Sequence, residues 1–460
     1  MIRKILMVIV TLLFLFTNLI AQKEPPPEGG QPKDFKLPKK TVFQLENGIP
    51  VTMVQYGKVP KVTISVVIRT GAISEESDEI WLSSIVGLMM KEGTKKRTAT
   101  RLREDIALMG GSLDVSVGDD RTTFSCDVLS DKGPAGVELL ADVIQNPIFP
   151  ENELPRLKND KLRELSIAKA DPGSLTDEKF MKVLYKGHPY GAGFPTESMI
   201  NNFTVDHVKK FYKNNFGALR SRIYIVGKFD EKDMEEAVRN EFSKWKSEPA
   251  IVENIPSPTS KKEIYIIDRP GSAQSTIMLG LPVIYPGNED YIPLQVANTL
   301  LGGSFASRIT TNIREEKGYT YSPYSYISPR YKTAFWAEVA NVGIKVTGPA
   351  LKEIFYEINR LRSEPPSPEE LKGIANYISG TFVLQNSTRS GIINQLAFLD
   401  FHGLPDSYLT NYVNQVHAVT PENIKEIVQK YINPDEMTIV ITGDKKVIEP
   451  QLKGFGPIRK

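Results

Sequence analysis

The residues best equipped for chemistry lie between Asn298 and Ser325, in NTLLGGSFASRITTNIREEKGYTYSPYS. Arg314 and Tyr321 stand seven positions apart. A guanidinium and a phenol held side by side can donate hydrogen bonds to one carbonyl oxygen and stabilise the charge that develops on it. The spacing predicts a corner: a helix over 306–317, closed by Gly318, carries Arg314 on its last turns, and a Tyr-rich strand opens at Tyr321. Gly302, Gly303 and Ser304 break an earlier helix over 291–301 and are candidates for substrate contact. Glu315 and Glu316 read as a solvated helix face before they read as an acid–base pair.

Other reactive side chains are few. The four histidines are His188, His207, His402 and His417, and no two stand at helical metal-ligand spacing. His207 and His417 lie at helix starts, which suits surface or capping roles. His188, in the turn-rich KGHPYGAG, can contact a ligand but cannot hold a metal alone. Cys126 is the only cysteine and sits in the alternating segment RTTFSCDVLS, as a buried small hydrophobe would. No intrachain disulfide is therefore possible. Neither a phosphate loop nor a nucleophile elbow is present.

The elements that must position Arg314 and Tyr321 belong to a duplication. The first copy opens with FQLENGIPVTMVQ, a hairpin signal turning at Asn47-Gly48, and VTISVVIRTGA; the second has EIYIIDRP and QSTIMLGLPV. Paired helices follow, over 79–91 and 98–109 in one copy and 291–301 and 306–317 in the other. Strand pairs come next, SLDVSVG with RTTFSCDVLS and YTYSPYSYI with KTAFWAEVA. Each copy then runs through long helices and closes on a helix and a strand, ending RIYIVGKFD and TIVITGDKK. This order predicts an α+β fold of two homologous domains, each a mixed or antiparallel sheet with helices on one face, together forming a clam-like pair. The domains are placed at 41–246 and 263–460, with a polar, Pro-bearing linker over 247–262.

The chain begins with an export signal: Arg3 and Lys4, an apolar run over 5–16, and Ala21 before Gln22. Cleavage there gives a signal peptide over 1–21, and an uncleaved membrane anchor is the alternative. Residues 22–40, QKEPPPEGGQPKDFKLPKK, are a Pro-rich tether expected to be disordered. Without Arg3 and Lys4 the 57 basic residues become 55, against 55 acidic ones. A near-neutral chain offers nothing to nucleic acid. Export, with periplasmic residence in a bacterium, is the expectation.

The segments LGGSFASRITTNIREEKGYTYSPYS, KGHPYG and VDHVKKFYKNNF resemble the insulinase/pitrilysin-type (inverzincin) zinc metallopeptidases. The pattern Arg-x-Glu-Lys-Gly-x-x-Tyr, here Arg314 to Tyr321, carries the resemblance most strongly. By that resemblance Arg314 and Tyr321 bind a substrate carbonyl and steady the tetrahedral intermediate. Catalytic members also carry His-x-x-Glu-His on the first helix of the first half, shortly before a Gly-Thr. Here Gly93-Thr94 is present, but Ser84, Gly87 and Leu88 occupy the ligand and base positions. Trp81, Ile85, Leu88 and Met89 instead form an apolar stripe. A further family ligand corresponds to Glu164, read as a helix-surface residue beside Arg163.

The resemblance thus implies a chain that binds no zinc itself and is inactive alone. By the same resemblance it is expected to be the non-metal subunit of an exported heterodimeric peptidase, with zinc in a similar-length partner carrying His-x-x-Glu-His and with a peptide as substrate. Two other readings stay open: a catalytically inactive envelope scaffold or binding protein, and a self-sufficient hydrolase.

Overall fold

The computed structural model describes residues 35–459, and the signal segment 1–21 and most of the tether fall outside them. Among the described residues the chain forms twelve strands: β1 (Lys40–Gln44), β2 (Pro50–Gln55), β3 (Lys61–Ile68), β4 (Ser112–Val117), β5 (Thr122–Leu129), β6 (Ser221–Gly227), β7 (Glu263–Asp268), β8 (Gln274–Val283), β9 (Tyr324–Arg330), β10 (Thr333–Gly343), β11 (Thr438–Gly443) and β12 (Ile458–Arg459). They make two six-stranded sheets, ordered β1-β2-β6-β3-β5-β4 and β12-β7-β11-β8-β10-β9. Five of the six strands, β2-β6-β3-β5-β4 and β7-β11-β8-β10-β9, repeat position by position. β2–β6 and β7–β11 are the parallel pairs, and the strands that follow them in each sheet are antiparallel. Only one edge strand of each sheet differs, β1 running antiparallel to β2 and β12 parallel to β7. The fold is two α+β domains with mixed sheets.

Each sheet buries one face against helices of its own half. Ile64, Phe124 and Ile225 belong to the first core, with Ile85, Val137 and Leu140 from the covering helices; Ile277, Trp336 and Ile439 play that part in the second, against Leu300, Ile354 and Val428. The opposite faces are covered by an exchange. The Pro172–Leu184 helix of the first half lies on the second sheet, where Phe180, Met181 and Leu184 pack with Met278, Phe335 and Val440. The Arg389–His402 helix of the second half lies on the first sheet, joining Ile392, Ile393 and Leu396 to Val54, Tyr224 and Val226. Each sheet is therefore sandwiched, and the halves share two apolar seams.

Several local expectations change. The tether's last residues are packed, Phe35 against Phe382 at 5.1 Å between ring centroids and Leu37 against two of the cores. The first hairpin is wider than a two-residue turn: Leu45 N–H donates to the Ile49 carbonyl, and Asn47 is buried with its amide on the Phe242 and Trp245 carbonyls. The helix expected over 79–91 is Leu82–Met89, preceded by Trp81 at φ 73°. The Glu75 carboxylate sets that start by accepting from the main-chain N–H groups of Trp81 and Ser83. Strand β9 starts at Tyr324, because Pro323 has no N–H to offer a ladder. Tyr321 thus lies in the preceding loop.

Candidate functional site

The helix Tyr291–Leu301 ends at Gly302, whose N–H donates to the Asn298 carbonyl. A Cβ at Gly302 would fall 2.5 Å from Glu338 Oε2 and 2.6 Å from Ser325 Oγ, so any larger residue must displace both side chains. Asn298 Oδ1 accepts from both Ser325 Oγ and Trp336 Nε1 at 2.8 Å, tying this helix end to β9 and β10. Glu338 beside them is wholly buried, and burial pushes its carboxyl well above the usual carboxylate range.

Beyond the glycines, the expected helix over 306–317 is a single α-turn, Arg308–Thr310, running into a π-helix, Thr311–Glu316. The Lys317 N–H reaches back to the Asn312 carbonyl at 3.0 Å, five positions away. π-Turns are rare and gather at functional sites. Two polar anchors hold this one. The Asn312 amide donates to Glu353 at 3.1 Å and Glu357 at 2.9 Å, and Arg308 makes a fork to Glu370 at 2.7 and 2.8 Å. The fork draws in the helix Pro368–Gln385 and with it Tyr377.

Arg314 emerges from the π-turn between two aromatic rings. Its guanidinium carbon stands 4.1 Å from the Phe305 centroid and 5.2 Å from that of Tyr321, and Nη1 meets Glu315 at 2.5 Å. Gly302, Gly303, Ser304, Arg314 and Tyr321 all line one open cavity of about 310 Å³, completed by Phe305, Tyr324 and Tyr377. Tyr321 is 82% exposed and Phe305 69%. Such a site can hold a carbonyl or carboxylate on the guanidinium once Glu315 yields, with aromatic surface for the flanking chain.

Tyr324 also lines a larger cavity, of about 570 Å³, between the two halves. Its wall holds Glu75, Trp81, Asp119, Asp177, Tyr326 and Arg330. Arg330 pairs with Asp119, and its carbon stands 4.8 Å over the Tyr190 ring. Burial pushes Glu75 up to about 7 and raises Asp120, which the Tyr190 hydroxyl partly offsets by donating to it.

His188 lies apart from the Arg314 cavity. Its Nδ1 accepts from the Tyr190 N–H at 3.2 Å and its Nε2 stands 3.3 Å from the Asn254 carbonyl, so the ring braces its own loop. Phe305 and Tyr324 are site residues that the Arg/Tyr spacing did not single out, although both lie inside the motif segment. Tyr377 carries no local signal at all.

Two family descriptions match the chain: Insulinase (Peptidase family M16) over residues 51–194 and Peptidase M16 inactive domain over residues 202–377. The chain belongs to the insulinase (M16) peptidase family. It is 27% identical to an uncharacterized zinc protease of Rickettsia bellii, across 72% of this chain and 80% of that one. It is 19% identical to the non-peptidase homolog YmxG of Helicobacter pylori, across 86% and 92% of the two chains. The crystal structure of a peptidase M16 inactive domain from Pseudomonas fluorescens superposes with a TM-score of 0.81 at 25% identity, covering 88% of this chain and 98% of that one.

M16 membership implies a zinc site on the helix Leu82–Met89, and the residues there do not fit one. Ser84 and Leu88 are half-buried and Gly87 is buried; a Cβ on Gly87 would come 2.5 Å from Val117 Cγ2, so Val117 fills the space a longer side chain needs. Ile85 and Met89 point into the first core, while Leu88 and Trp81, the latter ahead of the helix, pack at its margin. Glu164 pairs with Lys161 rather than Arg163, at 2.7 Å, and that ammonium stands 5.4 Å from the Trp81 ring centroid. Among the described residues no three His, Cys, Asp or Glu side chains gather as metal ligands.

Proposed function

We propose that this chain is the non-metal subunit of an exported two-chain M16 zinc peptidase, contributing substrate binding and oxyanion stabilisation to peptide hydrolysis. The observation that carries this reading is the shared cavity of Arg314 and Tyr321, open to solvent, in a chain whose first-half helix presents Ser84, Gly87 and Leu88. A similar-length partner bearing His-x-x-Glu-His would supply zinc and the activated water. On this chain, Arg314 releases Glu315 and donates to the scissile carbonyl oxygen, and the Tyr321 hydroxyl gives a second hydrogen bond. The Gly302–Gly303 floor leaves room for the peptide main chain. Export to the periplasm is supported by Arg3, Lys4 and the apolar run over 5–16. Among the described residues no helix is long and apolar enough to cross a membrane.

The test is peptide cleavage by the chain assembled with its metal-bearing sibling. Arg314→Ala and Tyr321→Phe should each lower kcat on the order of 100-fold, about 3 kcal/mol. Full cleavage by both variants overturns the oxyanion role. A scaffold reading is favoured by one observation, the 2.5 Å contact that keeps Glu315 on the Arg314 guanidinium. Assembly with no cleavage of any peptide supports that reading instead.

A further inference from the structure

The helix Pro368–Gln385 buries Leu371, Ile374, Ala375, Ile378 and Phe382 against the second core. Its opposite face is a narrow stripe of Gly373, Tyr377, Gly380 and Leu384, spaced by four, three and four residues and so aligned along the helix. Tyr377 is 52% exposed and Leu384 71%. A single exposed apolar residue needs no explanation, but two in line with a functional cavity do.

The glycines add a second oddity. Glycine is among the poorest residues for a helix interior. Among the described residues no atom beyond the local helix backbone lies within 4 Å of where a Cβ would stand at either Gly373 or Gly380, so packing among them does not require glycine at these positions. What glycine leaves open is close approach to the helix backbone from outside. The stripe also runs directly into the Arg314 cavity, since Tyr377 belongs to both. At that junction the Ser304 hydroxyl oxygen is buried with no hydrogen-bond partner among the described residues.

We propose that this helix face continues the peptide-binding surface, with Tyr377 and Leu384 as apolar anchors and Gly373 and Gly380 as gaps that admit the peptide main chain. The proposal rests on the reading of the Arg314 cavity as a substrate site and adds the class of peptide taken. Seven helical residues separate the anchors by about 10 Å. A chain in the polyproline-II conformation, with three residues per turn and a rise of about 3.1 Å, covers that distance in about three residues and brings side chains so spaced to one face. The favoured ligand is thus an extended peptide with two apolar side chains so spaced. The stripe itself carries no charge, which suits uncharged anchors.

The experiment measures binding of a fluorescein-labelled, Pro-rich peptide with two leucines about three residues apart, and of its double-serine counterpart, to the full chain by anisotropy. The wild type should prefer the leucine peptide about tenfold. Leu384→Ser and Tyr377→Ser should erase most of that preference. Gly373→Ala and Gly380→Ala should raise the thermal midpoint and yet weaken the leucine peptide several-fold, a pairing that a purely structural helix face cannot give. Raised midpoints with unchanged affinity overturn the proposal and leave the Arg314 reading standing. Weakened association with the metal-bearing sibling at unchanged peptide affinity also overturns it, and makes the occupant the partner chain. If Arg314→Ala leaves peptide binding intact, the cavity reading fails and this inference fails with it.

Discussion

Thr176 and Thr442 meet hydroxyl to hydroxyl at 2.7 Å, both buried, one on a helix of the first half and the other on a strand of the second. That contact sits within the seam where the Pro172–Leu184 helix crosses to the second sheet. Phe180 is fully buried there, 5.6 Å from the Phe335 ring. Phe180→Ala should cost about 3–5 kcal/mol. Because the seam is shared, both halves should still melt in one transition, at a lower temperature. Differential scanning calorimetry checks this, and two separated transitions would show that the halves are energetically independent.

The contact of Gly302 with Glu338 makes a prediction for the cavity floor. Gly302→Ala must displace a buried carboxyl and a buried hydroxyl, at about 1–3 kcal/mol. Combining it with Glu338→Ala removes the carboxyl and leaves only Ser325 to yield, so the double variant should lose less stability than the two single variants summed. Urea titration measures all three. Strict additivity would mean that the carboxyl does not limit the space at Gly302.

At the first-half helix the expectation is similar in form. Gly87→Ala should destabilise by about 1–3 kcal/mol through its clash with Val117, and Val117→Ala should relieve much of that loss. A thermal melt of the single and double variants decides it. Equal melting of Gly87→Ala and wild type would place free space where Val117 now stands.

His402 provides a pH signature. It lies on the exchanged Arg389–His402 helix against the Phe398 and Phe401 rings, and burial, reinforced by Arg121, lowers its pKa from 6.5 to about 4. The native state therefore keeps His402 neutral while the unfolded state takes up a proton below about pH 6.5. Its contribution is full above that pH and is lost as pH falls toward 4. The loss should amount to about 2 kcal/mol, allowing for the ring's partial exposure. Urea midpoints at pH 7.5 and 5 should diverge less in His402→Gln than in wild type, and an unchanged divergence would assign the acid sensitivity elsewhere.

How much of this was legible in the sequence varies from residue to residue. The repeated sheets are legible because alternation in RTTFSCDVLS, and the aromatic and apolar run of KTAFWAEVA, mark strands without long-range information. The exchange of helices is not. FMKVLY, over 180–185, shows an apolar face, but amphipathicity does not say which sheet that face will meet. The π-turn was read as an ordinary helix because what holds it, Asn312 on Glu353 and Glu357, joins residues more than forty positions apart. Tyr377 was invisible for the same reason, since it reaches the cavity through a fork between Arg308 and Glu370, 62 positions apart. Trp81 was counted into a helix that begins one residue later, because its left-handed backbone answers to the Glu75 carboxylate and to no local propensity.

The two exchanged helices also bear on how such a chain could arise. A half-length ancestor with one sheet and one outward helix would leave a sheet face bare and a helix uncovered. Two copies would cure both faults by trading helices, as domain-swapped dimers do. Fusing the copies end to end keeps that trade inside one polypeptide and frees each half to diverge. One half could then lose the residues of a site while the other kept its own, with the shared seams still holding the pair together.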